Sequence, residues 1–198
     1  MSEAVIVESV RSPGARRNGG LKSTRSDEYG IQVLKGLLAR VPQVKPEEID
    51  DLIVGCAFPE CEQGMNLGRI LAMGAGLPIT VSGMTVNRFC ASGLQAIADA
   101  TAKIRAGWSE IIIAGGCETM THIPMGGSAM RPHPDWKFDG SMSDVYTNMG
   151  NTAERVAANY NISREDMDKM GVESNRRAFE AIKAGKFKEE IVPLQAVK

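Results

Sequence analysis

Short apolar runs separated by stretches of helical period constrain this chain more than any other feature. The runs are Leu52-Ile53-Val54-Gly55-Cys56, the segment Ser82 to Asn87, and Glu110-Ile111-Ile112-Ile113-Ala114-Gly115-Gly116. The first and third do not alternate apolar with polar residues, which is the pattern of strands covered on both faces. Between the runs lie Asn66 to Ala75, closed by Gly76 with Pro78 just beyond, and Ala91 to Ala106, closed by Gly107. The latter carries Leu94, Ile97, Ala98 and Ala102 along one side. An earlier helix is expected over Asp27 to Val41, with Ile31, Leu34, Leu38 and Val41 in phase and two acids in its first turn. Val5-Ile6-Val7 reads as a further strand. Alternation of this kind predicts an α/β layered fold with helices on both faces of the sheet.

The pattern changes after residue 118. From Thr119 to about Gly150 there are Pro124, Pro132, Pro134 and several Gly and Met, but no sustained period. Long irregular stretches in compact proteins are usually functional or mobile insertions. Helices resume over Thr152 to Tyr160, and again from Ser163, where Asp166 completes a capping box, to Gly185. The expected organisation is a core over 1–118 and a second, mostly helical region over 119–198. Residues 190–198 form an extended apolar stretch with no polar tail, which predicts a chain cut from something longer.

Composition excludes several function classes. The chain has 198 residues, 43% of them hydrophobic, and a formal net charge of -1, so it has material for a core and is not disordered. Lys and Arg (23) balance Asp and Glu (24), leaving no overall field for nucleic acid or anionic lipid. No apolar run approaches the ~20 residues of a membrane span. The opening residues lack a basic region ahead of an apolar stretch, so a cytoplasmic or organelle-matrix location is expected. Arg11, Arg16, Arg17, Lys22 and Arg25, with Gly14, Gly19 and Gly20, can be read as a phosphate cradle, or more simply as a solvated loop without the aromatics that single-strand binding needs. The four cysteines, Cys56, Cys61, Cys90 and Cys117, are too scattered for a disulfide framework and lack zinc-site spacing, so no metal site is expected.

Cys90 differs from the other three. Thr85-Val86-Asn87-Arg88-Phe89-Cys90-Ala91-Ser92-Gly93-Leu94-Gln95 places it where a strand passes into a helix. A thiol there faces backbone N–H groups at the positive end of the helix dipole, which favours the nucleophilic thiolate. Small neighbours leave room for a substrate, and the Cys90 N–H can help to hold an oxyanion. Position alone leaves a buried structural cysteine equally open.

Six segments in order along the chain resemble the thiolase family, the acyl-CoA C-acyltransferases. They are Arg11-Ser12-Pro13 with Gly19-Gly20; Glu62-Gln63-Gly64-Met65-Asn66 with Arg69; Val86 to Gln95 around Cys90; Ala114-Gly115-Gly116-Cys117-Glu118-Thr119-Met120-Thr121; Met149-Gly150-Asn151-Thr152-Ala153-Glu154 with Ser163-Arg164-Glu165; and Glu190-Ile191-Val192-Pro193. The resemblance implies a thiolase-like layered fold, its N-terminal half with a mixed sheet, plus an inserted, mostly helical loop domain that faces CoA.

The same resemblance implies that Cys90 takes up the acyl group of a 3-ketoacyl-CoA as a thioester, which a second CoA thiol then cleaves to give acetyl-CoA and a shortened acyl-CoA in all, or that the reverse Claisen condensation runs through the same thioester. Met149 stands where the family sets a residue against the pantetheine. Asn148 stands where acetoacetyl-forming members often have His, which favours the degradative, broader-chain type. CoA is then a substrate, with no permanently bound cofactor, and the full-length protein is expected to be a homodimer or tetramer. Glu118 is expected to be structural. Ala91 replaces a common Ser, and Gly171 interrupts a helix at a cost of roughly 1 kcal/mol. The family's second half supplies Asn-Glu-x-Phe, Gly-His-Pro and Cys-x-Gly segments that do not occur here, and the last strand of the first half is expected beyond Lys198. The chain alone is therefore expected to be inactive. The alternative function is a non-catalytic module that binds CoA thioesters or serves in assembly.

Overall fold

The computed structural model describes residues 3–135 and 143–197. Its centre is a three-stranded sheet of β1 (Asp51–Gly55), β2 (Ser82–Val86) and β3 (Ile112–Gly116), in the spatial order β2-β1-β3. Both pairings are parallel, with Ile53 opposite Met84 on one side and Ala114 on the other. The mixed sheet expected above is thus parallel throughout the described residues. Parallel neighbours cannot be joined by a tight turn, so each connection crosses back through a helix. These helices are α2 (Leu67–Ala75), between β1 and β2, and α3 (Ser92–Arg105), between β2 and β3. A third, α1 (Ser26–Arg40), precedes the sheet.

All five residues of β1 are buried. Its side chains point alternately to the two faces. Leu52 and Val54 join Leu34 of α1 and Leu67, Leu71 and Ala72 of α2 in one apolar cluster. Ile53 packs on the other face with Ala96 and Ala100 of α3. Helices therefore cover both faces, as the unbroken apolar run of β1 requires.

Local chemistry sets the helix ends. Asn66 caps α2 by accepting a hydrogen bond from the Arg69 N–H at 3.2 Å, and Gly76, at φ 87°, ends it in the left-handed conformation. Gly55 is required for another reason. A Cβ there would run into the Ser92 carbonyl carbon and lie 2.6 Å from the Gly93 nitrogen. Its absence lets the start of α3 press directly on the end of β1.

One sequence expectation needs correction. Val5-Ile6-Val7 forms no strand, and its side chains are 72, 79 and 79% exposed. Residue type supplies strand propensity, but a strand also needs an edge to pair with, and these residues pair with none among those described. Residues 190–198 do not group with the helical region. The chain divides into one compact unit of Met1–Ser128 with Glu190–Lys198, and a second of Ala129–Glu189. The tail returns to the core through long-range contacts. Val192 N–H donates to the Arg11 carbonyl at 2.9 Å, Arg11 N–H to the Glu190 carbonyl at 2.8 Å, and Gln195 N–H to Gln32 Oε1 at 2.8 Å.

The second unit contains α4 (Met149–Asn159) and α5 (Arg164–Lys183). Asn148 caps α4, and Ser163 caps α5 with Asp166 as expected. Gly171 lies within α5 without breaking it. The irregular stretch 119–150 falls partly, and any strand beyond Lys198 wholly, outside the described residues.

Gly55→Ala is expected to destabilise the fold by roughly 1–3 kcal/mol through overpacking against α3. Gly93→Ala has nothing within 4 Å of the added Cβ and is expected to be neutral or stabilising. Denaturant unfolding of the two variants checks this, and equal midpoints would contradict the close approach.

Candidate active site

Parallel strands bring the loops that follow them to one end of the sheet, where α/β proteins commonly hold their ligands. Here those loops are Cys56 to Asn66, Asn87 to Ala91, and the stretch from Cys117. The ladder extends into them, with Cys56 N–H donating to the Val86 carbonyl and Cys117 N–H to the Gly55 carbonyl, each at 3.0 Å.

Cys90 is exposed on the second of these loops, one residue before the Ala91 cap of α3. The turn that presents it is held from both sides. Phe89 adopts φ 46°, a left-handed conformation that disfavours a bulky residue. Its N–H donates to Asn87 Oδ1 at 2.9 Å, an Asx turn, and its carbonyl accepts from Ser92 Oγ at 2.5 Å. Ser92 Oγ also accepts from the Arg88 N–H at 2.9 Å. Ser92 is buried, so its hydroxyl acts as an internal clasp for the loop. The Phe89 ring packs on Phe58 with centroids 6.1 Å apart.

Beneath this turn lies a polar cluster that sequence reasoning did not assemble. The Glu118 carboxylate accepts from the Ala57 N–H at 2.6 Å and from Gln63 Nε2 at 2.7 Å, with Cys56 Sγ at 3.7 Å. Gln63 is fully buried and also accepts from the Thr119 N–H at 2.5 Å. Tyr29 Oη donates to the Glu118 carbonyl at 2.6 Å. The Asx turn was readable from Asn87 standing two residues before Phe89. Bonds between Glu118 and residues near 57 leave no local pattern.

The other cysteines have different surroundings. Cys117 donates to the Ser26 carbonyl at 3.2 Å, and burial, then its neighbours Cys56 and Glu118, push its thiol up to about 12. Burial and then the Glu118 charge likewise push the Cys56 thiol up to about 12. Both remain protonated at neutral pH. Cys61 is exposed, with Ser128 Oγ at 3.6 Å.

His122 is engaged on both ring nitrogens, Nδ1 with Glu62 Oε1 at 2.5 Å and Nε2 with the Lys22 carbonyl at 2.7 Å. The Glu62 hydrogen bond, then the Lys22 carbonyl, raise its pKa above the ordinary histidine value. It ties the loops that carry Glu62 and Lys22 together. The basic residues of the first loop are dispersed, with Arg11 paired to Glu190 at 2.6 Å and Arg25 to Asp27 at 2.7 Å. Among the described residues no three His, Cys, Asp or Glu side chains gather as a metal site, and no helix is long and apolar enough to cross a membrane.

The sequence matches the model of the thiolase N-terminal domain over residues 4–198. The chain belongs to the thiolase family. It is 46% identical over 196 residues to a 3-ketoacyl-CoA thiolase of Bacillus subtilis (strain 168), covering 98% of this chain and 49% of that relative. A 3-ketoacyl-CoA thiolase of Idiomarina loihiensis is 41% identical over 192 residues, 96% of this chain and 49% of the relative. One from Vibrio vulnificus (strain CMCP6) is 40% identical over 196 residues. The chain thus spans about half the length of these curated thiolases.

The remaining expected site residues of this thiolase chain, Asn148 and Met149, adjoin each other at the start of α4 in the second unit. Asn148 Oδ1 accepts from the Asn151 N–H at 2.8 Å, so its side chain is committed to capping, while Met149 is 58% exposed. Ala91, where Ser is common in the family, is the helix cap residue and makes no side-chain capping bond. The buried Ser92 performs the local clasping instead.

Limiting iodoacetamide at neutral pH is expected to label Cys90 first and to leave Cys56 and Cys117 unmodified until the pH approaches 12 or the protein is unfolded. Peptide mapping checks this. Early labelling of either buried cysteine in folded protein would contradict the assignment of their surroundings.

Proposed function

We propose that this chain carries the nucleophile of an acyltransferase that cleaves 3-ketoacyl-CoA with CoA, and that Cys90 is that nucleophile. One observation carries the reading. Cys90 stands exposed at a clasped strand-to-helix turn, while Cys56 and Cys117 are buried with thiols pushed up to about 12. The similarity to proteins named 3-ketoacyl-CoA thiolase supplies the substrate class.

In this reading the Cys90 thiolate attacks the C3 carbonyl of the substrate. The C2–C3 bond breaks, its electron pair leaves on acetyl-CoA as an enolate, and a proton acid at the site converts this to acetyl-CoA. The acyl group stays on Cys90 as a thioester. A second CoA thiol, deprotonated as it attacks, takes the acyl group and returns the Cys90 sulfur. Passage through a covalent intermediate divides one difficult displacement into two easier ones. Asn148 and Met149 belong to the surface that takes CoA, Met149 against the pantetheine. The Gly-His-Pro and Cys-x-Gly segments do not occur in these 198 residues, so in this reading the groups that move protons belong to the part of the thiolases' length that this chain does not span. CoA enters as substrate, no permanently bound cofactor takes part, and the complete enzyme works as a homo-oligomer, by thiolysis or by the reverse Claisen condensation through the same thioester.

The absence of those segments also leaves a second reading, a non-catalytic module that binds CoA thioesters or serves in assembly. Thiolysis of acetoacetyl-CoA by the full-length protein, followed at the enolate absorbance, separates the two. Turnover that falls by roughly a thousandfold or more in Cys90→Ala is the result expected of the nucleophile. Turnover that survives Cys90→Ala overturns the assignment, and a full-length protein that binds acetoacetyl-CoA without thiolysis establishes the second reading.

A further inference from the structure

We propose that Glu118 is a positioning residue for Cys90, acting through Ala57 and Asn87. The inference rests on the reading of Cys90 as nucleophile, and it assigns Glu118 no proton transfer.

The observations form a continuous chain of hydrogen bonds across the three loops at the end of the sheet. Glu118, just after β3, accepts the Ala57 N–H at 2.6 Å. Ala57, just after β1, offers its carbonyl to Asn87 Nδ2 at 2.9 Å. Asn87, just after β2, accepts the Phe89 N–H at 2.9 Å through its Oδ1. Phe89 is bonded covalently to Cys90. Both backbone groups of Ala57 are therefore pinned from opposite sides, the N–H by a carboxylate and the carbonyl by an amide. The next residue, Phe58, packs its ring at a tilt against Phe89 with centroids 6.1 Å apart, and its carbonyl accepts from Gln63 Nε2 at 3.0 Å.

The carboxylate is itself held firmly. Its backbone carbonyl takes the Tyr29 hydroxyl at 2.6 Å, and the adjacent Thr119 N–H donates to Gln63 Oε1 at 2.5 Å. The hydrogen-bond partners of the two carboxylate oxygens among the described residues are all donors: the Ala57 N–H, the Gln63 amide and the Cys56 thiol. An acceptor-only side chain fits this environment, whereas an amide would present N–H groups to N–H groups. Charge-assisted bonds of this length are also stronger than neutral ones.

The arrangement bears on Cys90 because of the conformation that ends it. Phe89 at φ 46° is held in a region that a bulky residue leaves unless its surroundings over-determine it. Two of those surroundings, the Asn87 acceptor and the Phe58 ring, are carried on or gripped by the loop that Glu118 anchors. If Ala57 is released, Asn87 loses its fixed acceptor, the Asx turn loosens, and Cys90 swings with Phe89. Glu118 is then more than cement between β1 and β3, because its effect reaches the sulfur.

The test uses the full-length protein with Glu118→Gln, Asn87→Ala and the double variant. Three quantities are read: kcat and KM for acetoacetyl-CoA thiolysis, the rate of Cys90 alkylation by iodoacetamide, and the unfolding midpoint. Glu118→Gln is expected to lower kcat by roughly tenfold to a hundredfold, the scale of a misplaced reacting group, with KM within about twofold. The Cys90 alkylation rate is expected to change by about threefold or more in each single variant. The double variant is expected to be no worse than the more damaging single one, as links in one series require.

Unchanged kcat and alkylation beside a lowered unfolding midpoint would overturn the proposal and leave Glu118 a structural residue, as would effects that multiply in the double variant. Should Glu118→Gln fail to fold, Asn87→Ala cuts the same chain at an exposed residue, and unchanged alkylation and kcat there overturn the proposal equally. Thiolysis that survives Cys90→Ala would defeat the nucleophile reading instead. The alkylation arm reads the link from Glu118 to the sulfur whatever the enzyme does.

Discussion

Parallel pairing governs the rest of this structure. Strands that run the same way need helical crossovers, and those crossovers return the chain so that every strand delivers its following loop to one end. With β1 between β2 and β3, the loop after the central strand touches the loops from both neighbours. Gly55 then allows the first turn of α3 to sit on the end of β1 without an intervening side chain. Cys90 is exposed because of this geometry: it stands just before the cap of a helix that has been drawn tight against the sheet.

Charge and hydrogen bonding refine what packing establishes. Apolar clusters on the two faces of β1 hold the layers together, but they do not fix the loops. That task falls to short polar bonds made by Glu118, Gln63, Asn87 and Ser92. The Glu118 carboxylate also helps to keep the Cys56 thiol protonated, so one charged group both anchors a loop and keeps a neighbouring cysteine inert. His122 plays a comparable part farther out, joining the Lys22 and Glu62 loops. As its pKa is raised in the fold, its contribution to stability is full below the ordinary histidine pKa and is lost as pH rises through the folded value.

Sequence carried the regular elements because their causes are local. Asn66 and Gly76 mark both ends of α2, and the unbroken apolar run of β1 announces burial on both faces. One error has the opposite cause. Val5-Ile6-Val7 has strand-forming side chains, yet pairing depends on a partner that residue type does not specify. The bonds of residues 190–195 to Arg11 and Gln32 likewise join positions far apart in the sequence. At the candidate site, Cys90 and its strand-to-helix position were legible from one segment of eleven or so residues. The Glu118 network was not, because its bonds to Ala57 and Gln63 span 61 and 55 positions and involve residue types that occur anywhere.

The central claim is that Cys90, presented by this clasped turn, carries the acyl group. Rapid mixing of the full-length protein with a 3-ketoacyl-CoA, acid quenching and peptide mass mapping tests it most directly. The account predicts an acyl mass on the peptide containing Cys90 and on no peptide containing Cys56, Cys61 or Cys117, and its discharge when free CoA is added before the quench. Thiolysis that proceeds with the acyl mass on another cysteine, or with none on Cys90, would contradict it.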